Sequence, residues 1–336
     1  MMKTLLLSEE QTEQAAEIIK RGGLVAMPTE TVYGLAADAF NGKAVADIFR
    51  AKGRPMDNPL IVHISDISQI FGIVREFPEK ARLLAEKFWP GPLTIILPKA
   101  CAVPDEVSAG LDTVAVRFPS HPAAQRLISA SCPLAAPSAN LSGSPSPTSA
   151  EHVMKDMNGR IDAVIDGGVC DVGVESTVIT LAGDVPRILR PGGITAEQIE
   201  EVIGSVEIDR AVTEPLEEGQ TAASPGMKYK HYSPKAEVIL LEGDDESFEK
   251  YINDIGDDKS AALCYNGQQE RLSCVCIPIG DKGDYTAYAH NLFSALRRAD
   301  DMGCMRVFAH CPGKDGVGLA VYNRVIRASG FRIISL

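Results

Sequence analysis

The chain has 336 residues, 45% of them hydrophobic, and a formal net charge of −12. That length holds two ordinary domains or one large one, and the acidic balance argues against a surface that binds nucleic acid non-specifically. No apolar run is long enough to span a bilayer. The start, Met1 to Leu7 followed by Glu9 and Glu10, has neither a long apolar core nor a small-residue cleavage site, so no signal peptide is read and a cytoplasmic location is expected.

The first section, 1–205, mixes strands and helices. A helix is predicted over 8–21, with Ser8 as its cap and Ala15, Ile18 and Ile19 on one face, and a buried strand over 24–27. The run 28–35 then places Thr29 and Thr31 where they would cap a helix start or bind a ligand. A helix from Val45 to Ala51 ends at Gly53. Further strands are predicted at 60–64, 93–97, 113–118, 133–136, 162–166, 175–181 and 186–189, and helices at 78–88, 121–130 and 195–203. The pattern is that of a wound or mixed α/β sheet. Residues 206–235 change character, rich in Glu, Gly, Pro, Ser and Ala, and read as a linker. Its end, 224–234, is basic and aromatic within an acidic chain. From 236 to 336 strands (238–241, 261–264, 275–278, 306–309) alternate with helices (246–255, 285–301, 317–329), as in a small doubly wound, Rossmann-like domain.

The most informative stretch is Lys52-Gly53-Arg54-Pro55-Met56-Asp57-Asn58-Pro59-Leu60. It sets two cations two residues apart in a turn before an apolar strand, which suits a polyanion such as a triphosphate or a nucleic-acid backbone; taken alone, a K-x-R pair is better read as a solvated basic turn, and the other site-like segments shift that balance. Arg117 lies late in an apolar strand, where its charge needs a partner: a structural carboxylate, or that of a ligand. The Ser/Pro/Gly loop 137–148 offers hydroxyls and amides able to line a phosphate or nucleoside site. Ser176 and Arg190 flank later strands, and His63 alone reads as a packed core histidine. There is no Walker loop, dinucleotide fingerprint, metalloprotease motif or nucleophile elbow, and the eight cysteines form no C-x-x-C pair. What remains is a cationic, hydroxyl-rich set of loops at strand ends, fit to work by positioning and electrostatic stabilisation.

In order, PTETVYGL (28–35), KGRPMDNPLIVHI (52–64), WPGPLTIIL (89–97), VAVRFP (114–119), PSANLSGSPSPT (137–148), ESTVI (175–179) and RPGGIT (190–195) resemble the catalytic, YrdC-like domain of the threonylcarbamoyl-AMP synthase family. SPGMKYKHYSP (224–234) resembles the interdomain linker of the family's long form, and GLAVYNRVIRAS (318–329) its C-terminal domain. The resemblance implies an N-terminal twisted mixed-sheet α/β domain, a linker acting as active-site lid, and a C-terminal Rossmann-like domain. It implies synthesis of L-threonylcarbamoyl-adenylate and diphosphate from L-threonine, bicarbonate or CO2, and ATP with Mg2+, for a threonylcarbamoyl transferase that modifies adenosine 37 of tRNA. By the same resemblance Thr31, His63, Arg117, Ser176 and the backbone at Ala136 contact threonine. Lys52, Arg54, Asn58, Thr113, Ser138, Asn140, Ser146 and Arg190 contact ATP, Lys52 and Arg54 carry the catalytic charge, and Tyr232 closes over the nucleotide. Rival readings are an RNA-binding or ribosome-assembly protein using the same cationic pocket, a hydrogenase-maturation carbamoyl transferase, and a non-catalytic nucleotide or amino-acid sensor. On the main reading, Lys52→Ala or Arg54→Ala strongly lowers adenylate formation without unfolding the protein; full activity in both variants would defeat the phosphate assignment.

Overall fold

The computed structural model describes residues 3–215 and 231–336. The first section runs β1 (Leu5–Ser8), α1 (Thr12–Lys20), β2 (Val25–Met27), β3 (Gly34–Asp38), α2 (Gly42–Lys52), β4 (Ile61–His63), α3 (Glu79–Phe88), β5 (Leu93–Pro98), α4 (Asp105–Ser108), β6 (Thr113–Arg117), α5 (Pro122–Ala130), β7 (Leu134–Ala135), α6 (Ala150–Met157), β8 (Ala163–Asp166), β9 (Thr177–Thr180), β10 (Arg187–Arg190), α7 (Ala196–Ile203) and β11 (Glu207–Ile208). The second runs β12 (Glu237–Glu242), α8 (Asp245–Ile255), β13 (Ser260–Cys264), β14 (Val275–Pro278), α9 (Tyr285–Asp301), β15 (Arg306–His310), α10 (Gly316–Ala328) and β16 (Ile333–Ser335).

Strands β1 to β11 form one mixed sheet in the order β1-β8-β2-β3-β7-β4-β6-β5-β9-β10-β11. Its centre sets the geometry of everything that follows. Parallel β4 and β6 pair Ile61 with Ala115 and His63 with Arg117, and antiparallel β5 sets Thr94 against Arg117 and Ile96 against Ala115. Directly paired residues share a face, and alternate residues point to opposite faces. One face of these strands therefore carries Val62, Val116, Ile95 and Leu97, which enter the main core with Val45, Ile48 and Phe49 of α2. The other carries the His63–Arg117–Thr94 row, beside a small apolar cluster of Ile61, Ile96, Ala115, Val178, Leu189 and Ala211.

The second section is an all-parallel sheet in the order β14-β13-β15-β12-β16. Its helices α9 and α10 pack on the first section. The α9 side supplies Arg297, whose guanidinium bonds both carboxylate oxygens of Asp156 and the carbonyl of Pro145, together with Ser294 at Thr148. The α10 side supplies Asn323 to the carbonyl of Val212 and Arg327 to that of Ala211.

Several expectations need correction. Helix α1 begins at Thr12, after a 3-10 turn over Glu9–Gln11, rather than at Ser8. Thr29 and Thr31 do not open a helix: they lie between β2 and β3, which pair antiparallel. Strand β3 itself was not foreseen, because Gly-Leu-Ala-Ala-Asp carries little strand propensity; β1, α4, α6 and β16 were likewise missed. The stretch read as a linker begins inside the first sheet. Ile208 of β11 pairs with Ile188 of β10, and Val212, in a 3-10 turn over Arg210–Val212, is fully buried. The part of the expected lid from 216 to 230 lies outside the described residues. Among the described residues no helix is long and apolar enough to cross a membrane.

Gly173 has φ +79°, and a Cβ there would sit 2.4 Å from the Cα of His290 in α9. A side chain at this position is strained by the left-handed backbone and forces α9 away. Gly173→Ala is expected to lower stability by at least about 1 kcal/mol, read as a reduced urea midpoint; an unchanged midpoint would count against this packing.

Candidate functional site

The polar row opens into a cavity of the first section that His231 and Tyr232 also line. It is lined by Thr29, Lys52, Arg54, His63, Arg117, Ala136, Ser138, Asn140, Ser146, Glu175, Ser176, Arg190, His231 and Tyr232, among others. Sequence dictates how each arrives there. Asn41 caps α2 by accepting from the Ala44 amide at 3.2 Å. The helix ends at Gly53, whose φ of 64° only glycine adopts without strain. The closing bonds from Gly53 N to Arg50 O and from Arg54 N to Phe49 O reverse the chain, so that Lys52 and Arg54 both reach the cavity.

Lys52 is buried, and its ammonium donates to the carbonyls of Ser138 at 2.5 Å and Asn140 at 2.8 Å. It thereby pins the hydroxyl-rich loop, within which Ser138 Oγ donates to Asn140 Oδ1 at 2.5 Å. Burial, and then the neighbouring Arg54 charge, push the Lys52 pKa well down. Arg54 is also buried, with its guanidinium 5.8 Å from the centre of the Phe49 ring.

Arg117 donates through Nη2 to Glu30 Oε1 at 2.7 Å and through Nε to Gly91 O at 3.4 Å. The second Glu30 oxygen accepts from the Ser120 amide. Of the two partners the sequence left open for Arg117, the structural carboxylate is therefore present. His63, level with Arg117, has a pKa lowered to about 3 by burial and by the Arg117 charge. Its ring is neutral at neutral pH, and its Nδ1 must donate to Ile61 O at 3.1 Å, since a carbonyl only accepts. That leaves Nε2 as an acceptor.

Ser176 Oγ lies 2.8 Å from Thr94 Oγ1 and accepts from Arg190 Nη2 at 3.1 Å, while Arg190 Nε donates to Ser176 O. Burial lowers the Arg190 pKa to about 10. Glu175 accepts from Ser146 Oγ at 2.5 Å and, on its other oxygen, from Arg324 Nε of α10 at 2.7 Å. Burial alone would raise its pKa; Arg324 and Arg190 hold it below the usual value. Tyr232 is buried in a left-handed conformation, φ 64°, with its ring 5.3 Å from that of Phe293 and 5.5 Å from the Arg324 guanidinium. For a tyrosine that conformation is strained, as at many functional positions.

The first section, over residues 17–192, matches the family profile described as "Telomere recombination", and residues 194–330 match the profile of the threonylcarbamoyl-AMP synthase C-terminal domain. The threonylcarbamoyl-AMP synthase of Pyrococcus abyssi is 47% identical over 336 residues, covering 98% of this chain and 97% of its own. That of Bacillus subtilis is 46% identical, covering 98% and 96%. The chain belongs to the threonylcarbamoyl-AMP synthase family. A solved structure of P. abyssi Sua5 complexed with L-threonine superposes with a TM-score of 0.92, at 46% identity, over 99% of this chain and 100% of that one. Membership makes this chain an enzyme with the two-part fold of that family.

Within this synthase fold most of the anticipated residues converge. Thr31 and Asn58 are fully buried but do not line the cavity; Thr31 Oγ1 lies 2.9 Å from that of Thr29, which does. Thr113 stands apart: it opens β6, paired with Pro98, at the opposite end of the strand from Arg117, and is absent from the cavity lining. The expectation of loops at strand ends holds for much of the lining: His63, Arg117 and Arg190 are the last residues of β4, β6 and β10, and Thr94 joins the first two on one sheet face. Glu30, Thr94, Glu175 and Arg324 were not singled out. For Glu30 and Glu175 the sequence offers a hint only: a carboxylate in an otherwise apolar or hydroxyl-rich string needs a counter-charge if it is buried, but the string does not name the partner.

His63 and His231 both have folded pKa values of about 3, mainly from burial, against 6.5 when exposed. Below pH 6.5 the unfolded chain takes up protons that the folded chain refuses, so each ring removes up to about 1.4 kcal/mol of stability per pH unit until the folded pKa is reached. The urea midpoint should fall steadily from pH 6.5 to 4.5, and less steeply in His63→Gln; a flat midpoint would contradict neutral buried rings.

Proposed function

We propose that this chain is a nucleotidyltransferase that condenses L-threonine, bicarbonate or CO2, and ATP into L-threonylcarbamoyl-adenylate and diphosphate. The observation that carries this reading is one cavity in which a carboxylate-binding corner, Arg117 with neutral His63, adjoins a cationic, hydroxyl-rich wall of Lys52, Arg54, Ser138, Asn140, Ser146 and Arg190. The relatives that share the whole chain carry the synthase name, and one is crystallised with threonine.

In this reading Arg117, anchored through Nε and Nη2 to Gly91 and Glu30, presents its remaining amino group to the threonine carboxylate. His63 Nε2 accepts from the threonine amine, leaving the nitrogen lone pair to bond the carbon of CO2; one C=O electron pair moves onto oxygen and a proton from the nitrogen passes to water, which gives the carbamate. A carbamate oxygen then attacks the α-phosphorus; the new P–O bond forms as the bond to the β-phosphate bridge breaks, and diphosphate leaves with that electron pair. No protein nucleophile is required. Arg54, Lys52 and Arg190 stabilise charge on the phosphates, while Tyr232 excludes water from the mixed anhydride product.

Magnesium is proposed to enter with ATP, as the counter-ion of its phosphates. Glu175 has both oxygens engaged by Ser146 and Arg324, and among the described residues there is no cluster of three or more His, Cys, Asp or Glu able to hold a metal. None of the steps above is assigned to the ion. The product would pass to a threonylcarbamoyl transferase complex acting on tRNA adenosine 37, so the link to RNA is indirect. A cytoplasmic location belongs to the same proposal and suits eight cysteines that are all free thiols.

The test is exchange of labelled diphosphate into ATP. It should require both threonine and bicarbonate, and exchange that ignores threonine would sink the substrate assignment.

A further inference from the structure

Glu175 presents a carboxylate to a cavity otherwise lined by Lys52, Arg54, Arg117 and Arg190. If the cavity receives a triphosphate, a bare carboxylate there repels the substrate. Its charge is answered from the other section of the protein. Arg324 of α10 is fully buried and gives Nε to Glu175 Oε2 at 2.7 Å, Nη1 to the carbonyl of Pro191 at 2.9 Å, and Nη2 to the carbonyl of Glu175 at 3.3 Å. The side chain of its neighbour Asn323 accepts a further bond from Nη1 at 2.9 Å, and Tyr232 lies against the guanidinium. The carbonyls it grips bracket the segments that carry Ser176 and Arg190. There the chain is packed so closely that a Cβ on Gly192 would meet the Thr177 amide nitrogen at 2.3 Å.

We infer that Arg324 is a positioning residue for the nucleotide: the C-terminal domain inserts it to neutralise Glu175, leaving that carboxylate able to orient Ser146 without repelling the phosphates. It touches no reacting atom and acts through Glu175. This gives the second domain a direct share in ATP affinity through the Glu175 carboxylate; its bonds described above reach neither Arg117 nor His63, the corner proposed for the threonine carboxylate and amine. The inference rests on the proposed adenylate synthesis.

The experiment measures KM for ATP and for threonine in diphosphate exchange, using the full-length protein. Arg324→Gln should raise the ATP KM at least tenfold and the threonine KM less than threefold. Arg324→Lys, which keeps the charge, should hold the ATP KM within threefold of the unsubstituted protein. Arg324→Gln combined with Glu175→Gln, which removes the stranded charge, should lower the ATP KM at least fivefold relative to Arg324→Gln alone. A purely structural arginine would give no such rescue. An ATP KM unmoved by Arg324→Gln, both KM values rising together, or a double variant as poor as the single would overturn the inference. Circular dichroism establishes which variants fold. Should Arg324→Gln not fold, Arg324→Lys decides alone: a tenfold rise in its ATP KM overturns the neutralising role. Absence of threonine-dependent exchange in the unsubstituted protein would defeat the functional reading itself, a separate outcome.

Discussion

Burying positive charge is the constraint from which this structure follows. Lys52, Arg117, Arg190 and Arg324 are all withdrawn from water, and a cation in that position persists only when hydrogen bonds or counter-charges replace its hydration. Each has found a different substitute. Lys52 takes backbone carbonyls, Arg117 takes Glu30, Arg190 takes the Ser176 carbonyl and hydroxyl, and Arg324 takes Glu175 across the domain boundary. Lys52, Arg117 and Arg190 line the cavity directly, and Arg324 reaches it through Glu175. Its walls are held by the same bonds that make the cations tolerable.

That arrangement explains how an acidic chain can enclose a cavity lined by cations. The net charge of −12 resides on solvated surface groups, whose fields water and salt screen within about 10 Å. Inside the cavity Lys52, Arg54, Arg117 and Arg190 act at short range through a medium that screens them far less. Overall charge thus bears on encounter with large polyanions, and local charge bears on what the cavity holds.

Much of this was legible in the sequence, for physical reasons that also mark where legibility stops. Helix α9 was bounded correctly at 285–301 because its apolar period is long and uninterrupted. The chain reversal at Gly53 was readable because glycine after a helix has one common meaning. Strand β3 was not, since alanine and glycine pack acceptably in a buried strand without favouring it. Most residues taken from the motif strings line one cavity, yet the strings drew attention to the cavity wall and away from the side chains that hold it. Glu30 and Glu175 sit inside quoted strings and went unremarked, because a partner 87 or 149 positions distant leaves no local trace. Arg324 was visible only as part of a domain signature. Its purpose depends on a contact that periodicity and spacing do not encode.

The register of β4, β5 and β6 has a consequence for how such a chain can vary in length. His63, Arg117 and Thr94 share a face because three strands agree on a common phase. One residue inserted in any of the three would exchange its two faces, turning an apolar side chain toward the cavity and a polar one into the core. The same insertion between Lys99 and Leu111, where the chain connects β5 to β6, leaves that phase untouched. Divergence in chain length is thereby channelled into the connections, and the strands accept change only one side chain at a time.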